Sequence, residues 1–78
     1  MKTIRELLSA VRERAGSDRK AAPLIGVSQA AFSRWRAGED YPTDEHGLKI
    51  AELLGVDRRY VLAVIRADRA KSDDARST

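Results

Sequence analysis

The stretch GVSQAAFSRWRAG, residues 26–38, decides the fold, because its pattern is that of a short helix with two chemically different sides. A rotation of about 100° per residue places Phe32 and Trp35 together on one side. The opposite side is polar or small: Gln29, Ala30, Ser33, Arg34 and Ala37. Ser28 is a good N-cap and Gly38 ends the helix. We therefore expect a buried aromatic face and an outward polar face.

The composition bounds the class of protein. The chain has 78 residues, which predicts one small domain. It has no cysteine, which excludes a disulfide framework and a thiolate zinc site and predicts a reducing, cytoplasmic location. The first residues, MKTIRELL, lack the apolar run of a signal peptide, and no segment is apolar enough to span a membrane.

The charge is segregated along the chain. The net charge is +3 and the pI is about 9.7. Residues 12–37 hold six basic and two acidic residues, a balance of +4, whereas residues 38–57 hold one basic and six acidic residues, a balance of −5. Charge segregated in this way attracts a polyanion to one face. A plain solvated surface is the alternative interpretation of the same pattern.

Caps and apolar periodicity predict five short helices and no strand. Thr3 and Glu6 form a capping-box pattern, and Gly16 ends the first helix. Ser17 caps a second helix that ends at Gly26. The apolar stripe of the first helix consists of Ile4, Leu7, Leu8 and Val11.

The second half of the chain predicts two further helices and a tail. Thr43 caps the fourth helix, which ends at Gly55, and Asp57 caps the fifth. The last helix carries an apolar stripe that stops near residue 68. We therefore expect a domain over residues 1–70 and a disordered polar tail over residues 71–78.

Two short helices joined by the turn GVSQ form a helix-turn-helix pattern. Its second helix must present hydrogen-bonding ends to base edges in a DNA major groove. Arginine pairs with guanine, glutamine with adenine and serine with either base. Gln29 binds adenine or a phosphate on this interpretation, and Ser33 reads a base or only permits close approach.

The run AAPLIGVSQAAFSRWRAG resembles the helix-turn-helix of the phage-repressor and Cro family, often called XRE-type. The segment LKIAELLGVDRRYVLAVI is similar to the family's continuation, so the resemblance covers about residues 3 to 67. It implies an all-α fold, a compact five-helix lambda-repressor-like DNA-binding domain whose helices 2 and 3 form the helix-turn-helix. Small regulators encoded by phages and prophages are the nearest resemblance. The matching features are Ala22, Gly26-Val27-Ser28-Gln29, Phe32, Ser33-Arg34-Trp35 and Gly38.

The resemblance and the helix geometry together predict the DNA-contacting residues. The base-reading positions are Gln29, Ala30, Ser33 and Arg34. The DNA backbone contacts are Ser17, Arg19, Lys20, Ser28, Arg36, Tyr41 and Thr43. Arg36 contacts phosphate or stacks on Trp35. Two residues depart from the family: Pro23 predicts a kink or an irregular last turn in helix 2, and Asp18 puts an acid near a phosphate, which is unfavourable.

These observations predict a sequence-specific double-stranded DNA-binding transcription regulator, a repressor acting in the bacterial cytoplasm at the nucleoid. The family implies a homodimer on a palindrome with half-sites roughly 34 Å apart. A monomer that dimerises only on DNA is the other possibility. The weakly predicted self-contact lies on the last helix and comprises Leu62, Ile65 and Arg66. No cofactor, metal, small-molecule ligand or membrane is expected.

Other functions have less support in the sequence. A protein-interaction module that keeps the fold, such as an antitoxin or anti-repressor, is the alternative. An enzyme is not expected, because there is no nucleophile with a base and no glycine-rich phosphate loop. His46 lacks companions for metal binding. Arg58 and Arg59 form a second phosphate contact or a solvated helix start, and Trp35 is a core residue rather than a stacking platform for single strands.

Overall fold

In the computed structural model, which describes residues 3–77 and the side chains of residues 3–71, the chain forms five α-helices. They are α1 (Ile4–Ala15), α2 (Asp18–Ile25), α3 (Gln29–Ala37), α4 (Asp44–Leu54) and α5 (Arg58–Ser77). No strand occurs within residues 3–77, so the all-α, five-helix prediction is confirmed.

Side-chain caps begin the first four helices. The hydroxyl oxygens of Thr3, Ser17, Ser28 and Thr43 accept hydrogen bonds from the N–H three residues ahead, at 3.3, 3.2, 3.1 and 3.4 Å. Each bond satisfies one first-turn N–H that has no partner within its helix. At α4 the capping is reciprocal, because Nδ1 of His46 accepts from the Thr43 N–H at 3.2 Å. The helix starts predicted from these residues are confirmed.

Helix α2 continues through Pro23 as one element. Proline has no N–H to donate to the carbonyl of Arg19, so one bond of the helical ladder is missing there. The helix ends at Gly26, whose N–H is shared between the carbonyls of Ala22 and Pro23 at 3.0 and 3.1 Å. Gly26 has φ +88°, a conformation that favours glycine. The N–H groups of Gly38 and Gly55 are shared in the same way at the ends of α3 and α4, so the shared bond is an ordinary glycine cap and not an effect of Pro23.

All five helices contribute to one core. Its largest fully buried side chain is Phe32 of α3. The buried apolar residues are Ile4, Leu7, Leu8, Val11, Ala21, Ala22, Ile25, Phe32, Trp35, Ile50, Ala51, Val61, Val64 and Ile65. Two leucines outside this core, Leu24 of α2 and Leu48 of α4, are exposed at 49% and 41%.

Helix α5 is longer than the sequence predicted. It runs to Ser77, so residues 71–77 are helical where a disordered tail was expected, and the proposed boundary at residue 70 falls inside a helix. The segment has no glycine or proline that would end the helix. Thr78 lies outside the described residues. Among those residues, no helix is both long enough and apolar enough to cross a membrane.

Helices α4 and α5 approach closely at Gly47. A Cβ added there would lie 2.8 Å from Cδ1 of Ile65 and 3.0 Å from Cδ2 of Leu62. Alanine gains about 1 kcal/mol of helix propensity over glycine, but overpacking a closed core costs about 1–3 kcal/mol. We expect Gly47→Ala to lower the free energy of unfolding measured in urea. In an Ile65→Val background, which lacks the clashing methyl, the loss of unfolding free energy caused by Gly47→Ala should become smaller or change sign. An equal cost in both backgrounds would contradict this packing.

Asp57 caps α5 and should make stability depend on pH. Its Oδ1 accepts from the Arg59 N–H at 2.8 Å, and its carboxylate pairs with the Arg59 guanidinium at 3.0 Å. The side-chain bond to Arg59, then the backbone bond, lower the pKa of the Asp57 carboxyl. A lowered pKa adds stability above pH about 4, and this is lost as the pH falls through the folded value. The melting temperature of Asp57→Ala should therefore fall below wild type at pH 7, and the difference should narrow in acid.

Candidate nucleic-acid interface

Two aromatic residues hold α3 to the body of the protein. Phe32 is fully buried and Trp35 is 4% exposed, with ring centroids 6.4 Å apart. The indole of Trp35 also contacts the His46 imidazole of α4, at a centroid distance of 5.0 Å. The predicted core role of both aromatics is confirmed. An indole buried in this way cannot stack on bases without leaving the core.

The four residues predicted to read bases lie together on the outer face of α3. This face is exposed and consists of Gln29, Ala30, Ser33 and Arg34. Within the described part of the chain, the Arg34 side chain makes no hydrogen bond or ion pair. Ala37, also exposed, extends the face by one turn. The outer face therefore offers hydrogen-bonding ends among small side chains.

The turn between α2 and α3 fixes where the outer face begins. The N–H of Val27 donates to the Ala22 carbonyl at 3.1 Å and closes the end of α2. Ser28 follows in extended conformation, with φ −74° and ψ 158°, and its hydroxyl accepts from the Ala31 N–H. The turn thus leads from Gly26, which caps the end of α2, to Ser28, which caps the start of α3, as the helix-turn-helix prediction requires.

The capping hydroxyls differ in what they offer a phosphate. Ser17 and Ser28 use an oxygen lone pair for capping, so the hydroxyl proton of each remains a donor. The Thr43 hydroxyl lies 3.0 Å from Nδ1 of His46. The same hydroxyl accepts from the backbone N–H of His46 at 3.4 Å, and Nδ1 accepts from the Thr43 N–H at 3.2 Å. Thr43 is consequently engaged within the protein, unlike the two serines.

Two predicted phosphate contacts on α2 are open to solvent. Arg19 and Lys20 are exposed in its first turn. Neither side chain forms a hydrogen bond or ion pair with a residue of the described chain. They follow Ser17, whose hydroxyl proton is not used in capping. The start of α2 therefore presents two basic side chains beside the turn.

The side chain of Arg36 is bound by a carboxylate of the protein itself. Its Nη1 lies 2.8 and 2.9 Å from the two carboxylate oxygens of Asp18. Nε of Arg12 binds the same carboxylate at 3.1 Å. The predicted stacking of Arg36 on Trp35 is not among its contacts. The acid that the sequence placed unfavourably near a phosphate therefore pairs with two arginines, one from α1 and one from α3.

The loop between α3 and α4 is tied to the body. Tyr41 is half-buried against the core, and its N–H donates to Oδ1 of Asp40 at 2.8 Å. Pro42 is buried, and its carbonyl accepts from Nη2 of Arg69 on α5 at 2.9 Å. The loop that was predicted to touch the DNA backbone is consequently held at both of these residues.

The predicted self-contact on α5 needs correction. Ile65 is fully buried and lies against Gly47, so it is a core residue and cannot reach a partner. It belongs to the apolar stripe of the last helix, and the close α4–α5 crossing buries it. Leu62 is half-buried on the same crossing, and Arg66 pairs with Asp44 at 3.2 Å.

The described residues also allow a check for a metal site and a catalytic cavity. Within the described residues no group of three or more His, Asp or Glu side chains could hold a metal ion. An open groove of about 610 Å³ follows α1 and reaches α3 only at Arg36. It lies away from the outer face and has no cluster of catalytic character.

Trp35 provides a direct check of this orientation. It is the chain's one tryptophan, and at 4% exposure it should be shielded from a collisional quencher. Adding a single-stranded oligonucleotide should leave its fluorescence unchanged, because stacking would require the ring to leave the core. Denaturant provides the positive control by shifting the emission to the red. Quenching by the oligonucleotide in the folded protein would contradict the orientation.

A helix-turn-helix family model matches residues 8–61, more than half of the chain, and this span contains α2, the turn and α3. No curated protein and no solved structure matches the sequence.

Proposed function

Because the chain belongs to the XRE-type helix-turn-helix family, a family of DNA-binding regulators rather than of enzymes, we propose that it is a sequence-specific transcription regulator. Its α3 enters the major groove of double-stranded DNA. The observation that supports this most strongly is the exposed outer face of α3, which is opposed by two buried aromatics.

We assign each residue type on the outer face a role in DNA recognition. Arg34 is unpaired within the described chain and suits guanine, which takes two hydrogen bonds from a guanidinium. Gln29, at the first position of α3, suits adenine or a nearby phosphate. Ala30 offers a methyl to thymine, and Ser33 donates to a base or allows close approach.

The DNA backbone is held from the flanks in this proposal. Arg19 and Lys20 contact phosphates from the start of α2, and the hydroxyl protons of Ser17 and Ser28 add two neutral donors. Tyr41 remains a candidate contact from its loop. These contacts are independent of sequence and supply much of the salt-dependent affinity.

We further propose a repressor of the phage or prophage kind that binds a palindrome as a dimer in the bacterial cytoplasm. Two-fold symmetry places the two α3 helices about 34 Å apart in successive major grooves. With Ile65 in the core, Leu62 and Arg66 remain the α5 candidates for the self-contact. A regulator with this geometry acts by occupying its operator.

Selection of bound sites from a random duplex library, at low and moderate salt, tests the function. Enrichment of an inverted repeat whose half-sites are one helical turn apart supports a dimeric sequence-specific regulator. Enrichment of nothing, with binding that disappears as salt rises, leaves only electrostatic attraction. That result would contradict the proposal and favour a protein partner as the target.

Arg34→Ala should weaken operator binding by about 1–3 kcal/mol and relax the preference at one base pair. Loss of a base contact leaves binding to random duplex less affected, since phosphate contacts remain. Lys49→Ala is the matched control, because it removes the same charge from an exposed position on α4 that has no proposed DNA contact. Competition titrations of both variants measure the difference. Equal losses on operator and random DNA for Arg34→Ala would oppose a base-reading role.

A further inference from the structure

One carboxylate holds two arginines at the point where three helices meet. Asp18 opens α2, Arg12 lies in the last turn of α1, and Arg36 lies in the last turn of α3. The shortest contacts of the carboxylate are 2.8 Å to Nη1 of Arg36 and 3.1 Å to Nε of Arg12. The exposed fractions of the three side chains are 22% for Asp18, 33% for Arg36 and 45% for Arg12. The cluster is therefore partly shielded from water.

The geometry also fixes the backbone of Arg36. Its carbonyl accepts from Nε of Arg5 on α1 at 2.9 Å, while its guanidinium is bound by Asp18. Both the backbone carbonyl and the guanidinium of Arg36 thus have partners within the protein. While the ion pair is formed, the guanidinium of Arg36 cannot extend from α3 toward a DNA strand.

Carboxylate and phosphate are competing partners for a guanidinium, because both accept charge-assisted hydrogen bonds from it. The neighbouring Arg19 and Lys20 have no such partner in the described chain. The basic residues near the turn therefore fall into two sets: Arg19 and Lys20 are free for phosphate, while Arg12 and Arg36 are occupied by Asp18.

We propose that Asp18 limits the salt-dependent affinity of the protein for DNA by withholding Arg12 and Arg36 from DNA phosphates, an inference that rests on the DNA-binding function proposed above. Phosphate contacts add affinity for every sequence, whereas the outer face of α3 adds affinity only for the operator. Removing two phosphate contacts lowers random-duplex affinity and leaves base reading intact. Asp18 thereby lowers the salt-dependent affinity for operator and random duplex alike.

The test compares Asp18→Asn with Glu13→Gln. Both substitutions remove one negative charge, but Glu13 is exposed on α1 and forms no ion pair in the described chain. Affinity for a random duplex is measured at several salt concentrations between about 50 and 200 mM. Each arginine freed to contact a phosphate steepens the log–log salt slope by about 0.9. We expect Asp18→Asn to steepen it by about 0.9 to 1.8, and Glu13→Gln to leave it near wild type.

Two further variants trace the effect to the arginines. Asp18→Glu keeps the charge and should keep the wild-type slope. Asp18→Asn added to an Arg12→Ala, Arg36→Ala chain should steepen nothing, because no arginine remains to be released. Circular dichroism confirms that each variant is folded. If Asp18→Asn does not fold, Arg36→Ala decides alone: an unchanged salt slope supports the proposal, and a slope flatter by about 0.9 overturns it.

The outcomes separate this inference from the function it rests on. If wild type binds duplex and selects an operator, but Asp18→Asn and Glu13→Gln give equal slopes, the role of Asp18 is overturned and the regulator function stands. If wild type binds no duplex, both are overturned. A steeper slope in Asp18→Asn alone, together with tighter binding to operator and random duplex alike, supports the inference.

Discussion

The burial of Phe32 and Trp35 is the constraint on which the arrangement of this protein depends. A nine-residue helix is too short to be stable alone in water, so α3 exists because its aromatic side packs into the core. Once these two rings are fixed, the rotation of the helix about its axis is fixed too. The direction of the outer face, and with it the whole interface, follows from that packing.

The contacts around α3 fix its position at each end. The Ser28 hydroxyl caps its first turn, and Nε of Arg5 satisfies the carbonyl of Arg36 in its last turn. The Asp18 carboxylate adds a bond from α2, and the His46 ring packs on the indole from α4. Hydrogen bonds of this kind contribute only about 1 kcal/mol each, so their value is in orientation.

The sequence was sufficient where the signal is local. Caps, glycine stops and apolar periodicity depend on neighbours within one or two turns, and they predicted the five helices and the two sides of α3. The Asp18 cluster was missed because its members are brought together only by the packing of three helices. Ile65 was named as a self-contact because apolar periodicity does not show how closely α4 crosses this residue at Gly47. The helical residues 71–77 were missed because low apolar content was taken to mean disorder.

The freedom of the outer face has an evolutionary consequence. Its side chains contact nothing that the core needs, whereas Phe32 and Trp35 carry the attachment of the helix. Exposed substitutions away from such contacts usually change stability by less than about 0.5 kcal/mol. Replacements at Gln29, Ala30 and Ser33 are therefore tolerated by the scaffold. With the base-reading role proposed for them, a lineage carrying this domain can acquire new operators one residue at a time without passing through unfolded intermediates.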